Sequence, residues 1–186
     1  MAKIGLEEFR YSILSGEDNT GSPIYSGALQ PAHAISCSVS ISNNSVQLYG
    51  DNRVIESDTS FQSGTVSIGI DKEDKETMSN LLGHTLTDGE LIRNANDISP
   101  YVGLGRIITE MINGVMSYTV EFLHKCKFGE PSQENATKGE SVEFSTYTLE
   151  GTISTLSNGV WSKCKSFTTQ ASAVEYLEGL MAAPTP

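Results

Sequence analysis

One stretch decides the fold of this chain: YVGLGRIITEMINGVMSYTVEFLHKCKFGEPSQENATKGESVEFSTYTLEGTIS, from Tyr101 to Ser154. Near its centre lies Asn113-Gly114, a dipeptide that tolerates the positive φ values of a two-residue type I′ hairpin turn. Both flanks are rich in β-branched and aromatic residues, which favour strands. The sequence therefore predicts a long antiparallel hairpin around this turn.

A two-residue loop sets the register of the hairpin. On one face, which is mainly apolar, the predicted pairs are Met111 with Met116, Thr109 with Tyr118, Ile107 with Val120, and Gly105 with Phe122. On the other face, the predicted pairs are Ile108 with Thr119, Glu110 with Ser117, and Arg106 with Glu121. Opposite charges lying across from each other support this register.

Further strands are predicted on either side of the hairpin. Ile35–Ser42 alternates apolar residues with serine, which is typical of a strand with one buried face. Asn43-Asn44 is predicted to turn the chain, and Val46–Tyr49 to return it. Thr65–Ile70 alternates again, with Val66, Ile68 and Ile70 inward.

A second Asn-Gly dipeptide, Asn158-Gly159, predicts a second hairpin. A two-residue loop there would pair Leu156 with Trp161 and Ile153 with Cys164.

Two segments have helical signals. Residues 71–82 are predicted to form a helix that Asp71 can cap and Gly83 ends. Thr169–Met181 forms an amphipathic helix, with Ser172 and Glu175 as a capping box. Together with the strands, these helices predict a mainly β protein: an antiparallel β-sandwich or barrel-like fold with one mid-chain helix and a C-terminal helix.

The length of 186 residues suits a single domain, 1–186, with extended arms or loops at about 15–33, 51–64 and 129–139. The segment 51–64 is too polar and too long for a tight connection, and it carries the apolar residues Val54, Ile55 and Phe61. Two interpretations stay open at this point. These side chains dock on a neighbouring subunit, or they fold back on their own domain.

Composition excludes several classes of function. A formal net charge of −11 and a pI near 4.6 argue against a nucleic-acid-binding surface, which needs Lys and Arg. The charge suits solubility, or a surface that nucleic acid passes without binding. No apolar run is long enough to span a bilayer, and the first residues lack the pattern of a secretion signal, so no membrane association is expected.

No chemical motif stands out. No histidine has a second His or Cys at metal-ligand spacing. His124 comes nearest, two residues before Cys126, and two ligands on one strand are a weak signal for zinc. The three cysteines, Cys37, Cys126 and Cys164, are expected to be buried free thiols. We expect no enzymatic activity, no catalytic or metal site, and no cofactor.

The sequence resembles the major tail proteins of long, non-contractile-tailed bacteriophages, the phi13-type family. The resemblance rests on the order of short strings along nearly the whole chain: Lys3-Ile4-Gly5-Leu6, Phe9-Arg10-Tyr11, Ile35-Ser36-Cys37-Ser38-Val39, Glu56-Ser57-Asp58, Gly64-Thr65-Val66, Leu82-Gly83-His84, YVGLGR, VEFLHKCKFGEPSQENATKGESVEF, LEGTIS, Thr155-Leu156 and Gly159-Val160-Trp161. None of these strings is a chemical motif by itself.

The resemblance implies a structural virion protein that forms sixfold rings, which stack into the tail tube through which DNA leaves the capsid. A ring would carry six times −11, or −66 formal charges. The implied partners are the chain itself, the tape-measure, distal tail and tail-terminator proteins, and viral DNA in transit without specific binding. The implied location is the virion tail, assembled in the host bacterial cytoplasm.

Candidate contact residues follow from this resemblance. Those between stacked rings are Val54, Ile55, Phe61, Glu130 and Gln133. Those on the bore or the inter-subunit face are Arg106, Glu110, Glu121 and Lys125. The main alternative is a monomeric β-sandwich binding module, such as a phage decoration or receptor-binding domain, which would have an exposed apolar patch and would not self-assemble. An acidic hydrolase would instead need a pocket of carboxylates with shifted pKa values.

Overall fold

The computed structural model describes residues 2–31, 34–50, 53–71, 74–112, 114–131 and 147–183. In chain order the elements are β1 (Ala2–Glu17), β2 (Pro23–Tyr25), β3 (Ala34–Gly50), β4 (Arg53–Ile70), α1 (Lys75–Leu82), β5 (Thr85–Thr87), β6 (Glu90–Ile92), β7 (Val102–Ile112), β8 (Val115–Phe128), β9 (Tyr147–Ile153), β10 (Ser162–Phe167) and α2 (Gln170–Met181). The fold is mainly antiparallel β with one mid-chain and one C-terminal helix, consistent with a β-sandwich, as the sequence predicts.

One large sheet has the strand order β2-β1-β7-β8-β9-β4-β3. Two strands pair with the same edge of β8. Residues 118–123 of β8 pair with β10, and residues 126–128 pair with β9. Strands β5 and β6 form a separate two-stranded sheet. The large sheet therefore branches at β8. Its buried apolar residues form two clusters.

The first cluster joins β4, β9 and the start of the β7–β8 hairpin to helix α1. Its buried members include Val66, Ile68, Leu104, Leu149 and Met78. The inward prediction for Val66, Ile68 and Ile70 is confirmed, since each is at most 1% exposed.

The second cluster lies where α2 packs on the other face of the β7–β8 hairpin. Its members include Ile107, Val120, Phe122, Leu177 and Met181. Gly105 is required here, because a Cβ on it would overlap Leu177 Cδ1 and lie 3.0 Å from the Phe122 ring. Glycine thus lets the helix approach the strand.

The central hairpin is confirmed with its full register. Ile112 faces Val115, Arg106 faces Glu121, and all the pairs predicted on both faces are present. Gly114 has φ of +81°, as the turn requires. Asn113 lies outside the described residues.

The turn predicted at Asn43-Asn44 and the loop predicted at 51–64 are both wrong. Strand β3 continues through Asn43-Asn44 to Gly50, and β4 begins at Arg53 and runs to Ile70, paired with β3 throughout. Alternation of apolar and polar residues indicates a strand with one buried face. Most side chains in the outer parts of β3 and β4 are exposed on both faces, so these segments show no alternation.

The arm predicted at about 15–33 is also wrong for much of its length. Strand β1 runs to Glu17, β2 pairs back on β1, and the backbone of Leu29 bridges to Tyr11. Tyr25 is buried against the β7–β8 hairpin, which holds this segment on the body of the protein.

The second hairpin is wrong in its pairing, although its turn exists. Gly159 has φ of +83°, and the Leu156 N–H donates to the Val160 carbonyl. However, Ile153 pairs with Cys126 and Gly64, while Cys164 pairs with Glu121. The edge of β8 is long enough for β9 and β10 to pair with separate segments of it. The two strands on either side of the turn therefore do not pair with each other.

Both helices begin differently from the predictions. Asp74 caps α1 in place of Asp71, because its carboxylate accepts from both the N–H and the hydroxyl of Thr77. Thr169 caps α2 and accepts from the Ser172 N–H, so the Ser172/Glu175 capping box is not formed. Gly83 ends α1 in the left-handed conformation, as predicted.

The cysteine prediction holds in part. All three cysteines are thiols, and Cys126 is buried, but Cys37 is half-buried and Cys164 is exposed on β10. Cys164 lies on a face of β10 that no described apolar cluster covers, so its strand pattern does not lead to burial.

Candidate assembly surfaces

The polar face of the β7–β8 hairpin brings three candidate residues together. Arg106 donates from Nε to Glu121 Oε2 at 2.7 Å and from Nη2 to the same oxygen at 2.5 Å. Glu110 is close by, and its Oε2 lies 3.4 Å from the Thr119 hydroxyl. Arg106, Glu110 and Glu121 therefore share one half-exposed face, as the register predicts.

Arg106 also connects distant strands of the sheet. Its Nη1 donates to the Cys37 carbonyl on β3 at 2.6 Å. Since β3 is the last strand of the sheet order and β7 is near the other end, this bond holds the sheet curled. The side chain of Arg106 is only 15% exposed, so its charge is used within the chain.

Lys125 lies apart from these three residues. Its ammonium donates to Glu17 Oε1 at 2.7 Å and sits 5.0 Å from the centre of the Tyr101 ring. The pKa of Glu17 is lowered to about 2 by its hydrogen bonds from Lys125 and Ser157. This pair fastens the end of β1 to β8 and to the turn after β9.

The outer half of the β3–β4 hairpin is a projecting ribbon, which we define as residues 43–60. Every described side chain in the ribbon is exposed. Three of these are large and apolar: Val46, Tyr49 and Ile55, which are 57%, 65% and 66% exposed. The side chain of Val54 lies outside the described residues.

Sequence reasoning missed Val46 and Tyr49 as contact candidates, because it assigned them only to a strand that returns after the predicted turn. A usable signal was present, since the segment Asn44–Tyr49 has polar residues at both strand parities. A strand with one buried face would have kept its polar residues on the other face.

Phe61 folds back on its own chain. Its ring stacks on Trp161, with centroids 4.9 Å apart and planes 11° apart. Two interpretations were left open for the apolar residues of 51–64: docking on a neighbouring subunit or folding back on their own domain. Phe61 folds back on its own domain, whereas Ile55 stays exposed.

Glu130 also has partners within the chain. Its Oε1 lies 2.5 Å from Nε2 of the buried His84, whose Nδ1 lies 2.7 Å from Asp97. The pKa of Asp97 is lowered by the N–H of Asn94 and by His84. Glu130 is still about half exposed, and Gln133 lies outside the described residues.

The tip of the β7–β8 hairpin is a second exposed apolar set. Met111, Val115 and Met116 lie together around the turn, beyond the part that α2 covers. The sequence placed Met111 and Met116 on the apolar face, but the helix does not reach them.

Backbone edges add to these surfaces. Within the described part of the chain, β3 and β10 each have a neighbouring strand on one edge alone, and so does β1 before its contacts with β2 and Leu29. Unpaired edges are templates for strands of other chains. In the order β10-β8-β7-β1, two of these edges lie on opposite sides of one four-stranded unit.

Tyr25, His124 and Cys126 are buried titratable groups of the interior. The Tyr25 hydroxyl donates to the His124 carbonyl at 2.8 Å and lies 3.1 Å from its Nδ1. Burial lowers the pKa of His124 to about 4 and raises that of Cys126 to about 12. Among the residues that the structure describes, no group of three or more His, Cys, Asp or Glu is placed to hold a metal ion.

Neither helix in the described part of the chain is long and apolar enough to cross a membrane.

No protein family matches the sequence, and no curated protein matches it. Among solved structures, the chain is similar to the cryo-EM structure of the anti-feeding prophage cap, a tube-terminating cap. The TM-score is 0.46 and the identity 7%, over 90% of this chain and 95% of that one. At this TM-score the likeness supports no functional conclusion.

Proposed function

We propose that this chain is the major tail protein of a long-tailed bacteriophage. It forms sixfold rings that stack into the tail tube, and DNA passes through the bore. The proposal joins the family resemblance of the sequence to the surfaces described above. It assigns no enzymatic role and no cofactor.

The observation that carries the proposal is the projecting ribbon. A two-stranded ribbon exposed on both faces is only marginally stable in water. This one also exposes Val46, Tyr49 and Ile55. A partner surface that covers the ribbon would remove both costs, and stacked copies of the same chain supply such a surface in every ring. The ribbon is therefore our candidate for contact between rings, together with Glu130 and Gln133.

The two edges of the β10-β8-β7-β1 unit favour ring formation. In our proposal, β10 of one copy pairs with β1 of the next, which removes both edges in a closed barrel. Such a head-to-tail contact closes when the rotation between copies fits a ring. Ring stacking does not close, and it therefore grows a filament.

The polar face of Arg106, Glu110 and Glu121 would then face the bore. Arg106 is already bound to Glu121, which leaves Glu110 and the overall negative charge to repel phosphate. DNA would slide through without specific contacts. Lys125, bound to Glu17, is assigned to the inter-subunit side of the barrel.

Other partners follow from the same proposal. A tube of this kind meets a tape-measure protein inside, distal tail proteins at one end and a terminator at the other. The location would be the virion tail, after assembly in the host cytoplasm.

The test is electron microscopy of the purified chain over a concentration series, with light scattering. We expect hollow tubes or sixfold rings. A matched variant replaces residues 44–60 with Asn-Gly, which keeps Asn43 opposite Phe61 and closes the shortened hairpin with a two-residue turn. This variant should unfold at nearly the same temperature as the parent chain and form no tubes.

Two results would contradict the proposal. Tubes of unchanged length from the shortened chain would remove the ribbon from the ring contact. A parent chain that stays monomeric at high concentration, even with tail fragments added as seeds, would favour the binding-module alternative.

A further inference from the structure

The ribbon leaves the body of the protein at an irregular point in the β3–β4 pairing. Ser42 pairs with Ser63, but the next residue, Asn43, pairs with Phe61, so Gln62 is an extra residue on β4. A bulge of this kind bends the strand and increases its twist. The bulge marks the point where the direction of the ribbon is set.

The body side of this bulge is tightly packed. A Cβ on Gly64 would lie 2.9 Å from Ile41 Cδ1 and 3.0 Å from Ile153 Cδ1. On the other side, the described side chains from Asn43 to Ser60 are all exposed. The packing therefore changes from a close-packed sheet to a free ribbon within about two residue pairs.

Phe61 lies directly at this change, and its aromatic partner among the described residues is Trp161. Its ring is stacked on Trp161 with centroids 4.9 Å apart and planes 11° apart. Trp161 is held by the body, since its carbonyl accepts from the His124 N–H on β8 at 2.9 Å. The stack thus ties the ribbon side of the bulge to the central strand of the sheet.

We propose that Phe61 and Trp161 are a positioning pair that holds the ribbon at the angle required for ring stacking. A bulge alone allows a range of ribbon angles. The flat contact between the aromatic side chains of Phe61 and Trp161, on one side of the ribbon, selects one of these angles. The pair makes no contact with the neighbouring ring in this proposal. Its effect on assembly rests on the proposed function, whereas the stack itself does not.

The first measurement needs no assembly. Trp161 is the single tryptophan of the chain, so incorporation of 5-fluorotryptophan gives one ¹⁹F resonance that reports on this site. In Phe61→Ala we expect that resonance to move and the tryptophan emission to shift to longer wavelength. Phe61→Tyr, which keeps the ring, should leave both nearly unchanged.

The second measurement is the critical concentration for tube formation. We expect it to rise at least tenfold in Phe61→Ala, with far-UV circular dichroism unchanged. Phe61→Tyr should restore the parent value. Ile98→Ala serves as a matched control, because it also truncates an apolar side chain, one that is 77% exposed and lies outside the ribbon.

The outcomes separate the two proposals. An unchanged ¹⁹F resonance in Phe61→Ala would show that the Phe61 and Trp161 side chains do not stack on each other, and it would overturn the positioning pair. A changed resonance with an unchanged critical concentration would also overturn the positioning role. If the parent chain itself forms no tubes, even with tail fragments added as seeds, the proposed function fails, and the resonance still decides whether the stack exists.

Discussion

Two long antiparallel hairpins in this chain have opposite relations to the solvent. The β7–β8 hairpin buries one face under α2, with Ile107, Val120 and Phe122 fully buried. The outer half of the β3–β4 hairpin buries neither face and exposes Tyr49 and Ile55. The first stabilises the fold, whereas the second contributes little to it and is free for contacts between molecules.

The difference teaches how burial is recorded in sequence. A hairpin with one buried face must keep apolar residues at every second position, and a single slip in register would expose them. A ribbon with two exposed faces has no such requirement, so Ser, Thr, Asn and charged residues occupy both parities. Three predictions test this contrast, beginning with the largest expected effect.

Phe122→Ala should cost about 3–5 kcal/mol in the free energy of unfolding, because it leaves a cavity between β7, β8 and α2. Phe122 is fully buried and contacts the rings of Tyr25 and His124 edge-on. Urea denaturation of the unassembled chain measures the loss. A cost below about 1 kcal/mol would mean that this hairpin is not the core element described here.

The stability of the chain should fall as the pH is lowered from about 6.5 to 4. Burial lowers the pKa of His124 to about 4, below its ordinary value of 6.5. In this window the unfolded chain binds a proton at His124 that the folded chain does not, so acid favours unfolding. The contribution is fully present above pH 6.5 and is lost as the pH falls towards 4.

His124→Gln isolates this effect, since it removes the proton uptake at that position. Urea denaturation at several pH values should show a smaller dependence on pH between 6.5 and 4 in the variant than in the parent. Equal slopes would indicate that His124 is more accessible to water than its 2% exposure implies. The ribbon, residues 43–60, contains no histidine.

Ile55→Ser should have the smallest effect on the unassembled chain, within about 0.5 kcal/mol, because the side chain is 66% exposed. Its effect on tube formation should be large in comparison, if the ribbon meets the next ring. Sedimentation at matched concentrations compares the two. A clear loss of stability without a change in assembly would reverse the roles assigned to the two hairpins.

Side-chain pairs between the two strands of the β7–β8 hairpin were predictable from the sequence. The pair of Arg106 with Glu121 follows from a two-residue turn and the count of residues back from it. The second partner of Arg106, the Cys37 carbonyl, is 69 residues away and has no local signal. The same applies to Lys125 and Glu17, which are 108 residues apart.

The partner of Phe61 was unpredictable for a related reason. Its sequence neighbours are polar, so nothing in them distinguishes a contact with another subunit from a contact with Trp161. Only the path of the chain after β9 brings the Trp161 indole next to Phe61, where the ribbon meets the body of the protein.

The sequence by itself determined the β7–β8 hairpin and its register, the inward face of Thr65–Ile70, and the end of α1 at Gly83. These features depend on turn dihedral angles, on alternation beside a core and on the left-handed conformation of glycine, all of which act over a few residues. The tertiary structure alone decided that β9 and β10 separate along β8, that β3 continues past Asn43-Asn44, and which partners Arg106, Lys125 and Phe61 have. The physical reason is that strand edges accept many sequences with similar backbone hydrogen bonds, so the choice between edges is made by packing of the whole chain.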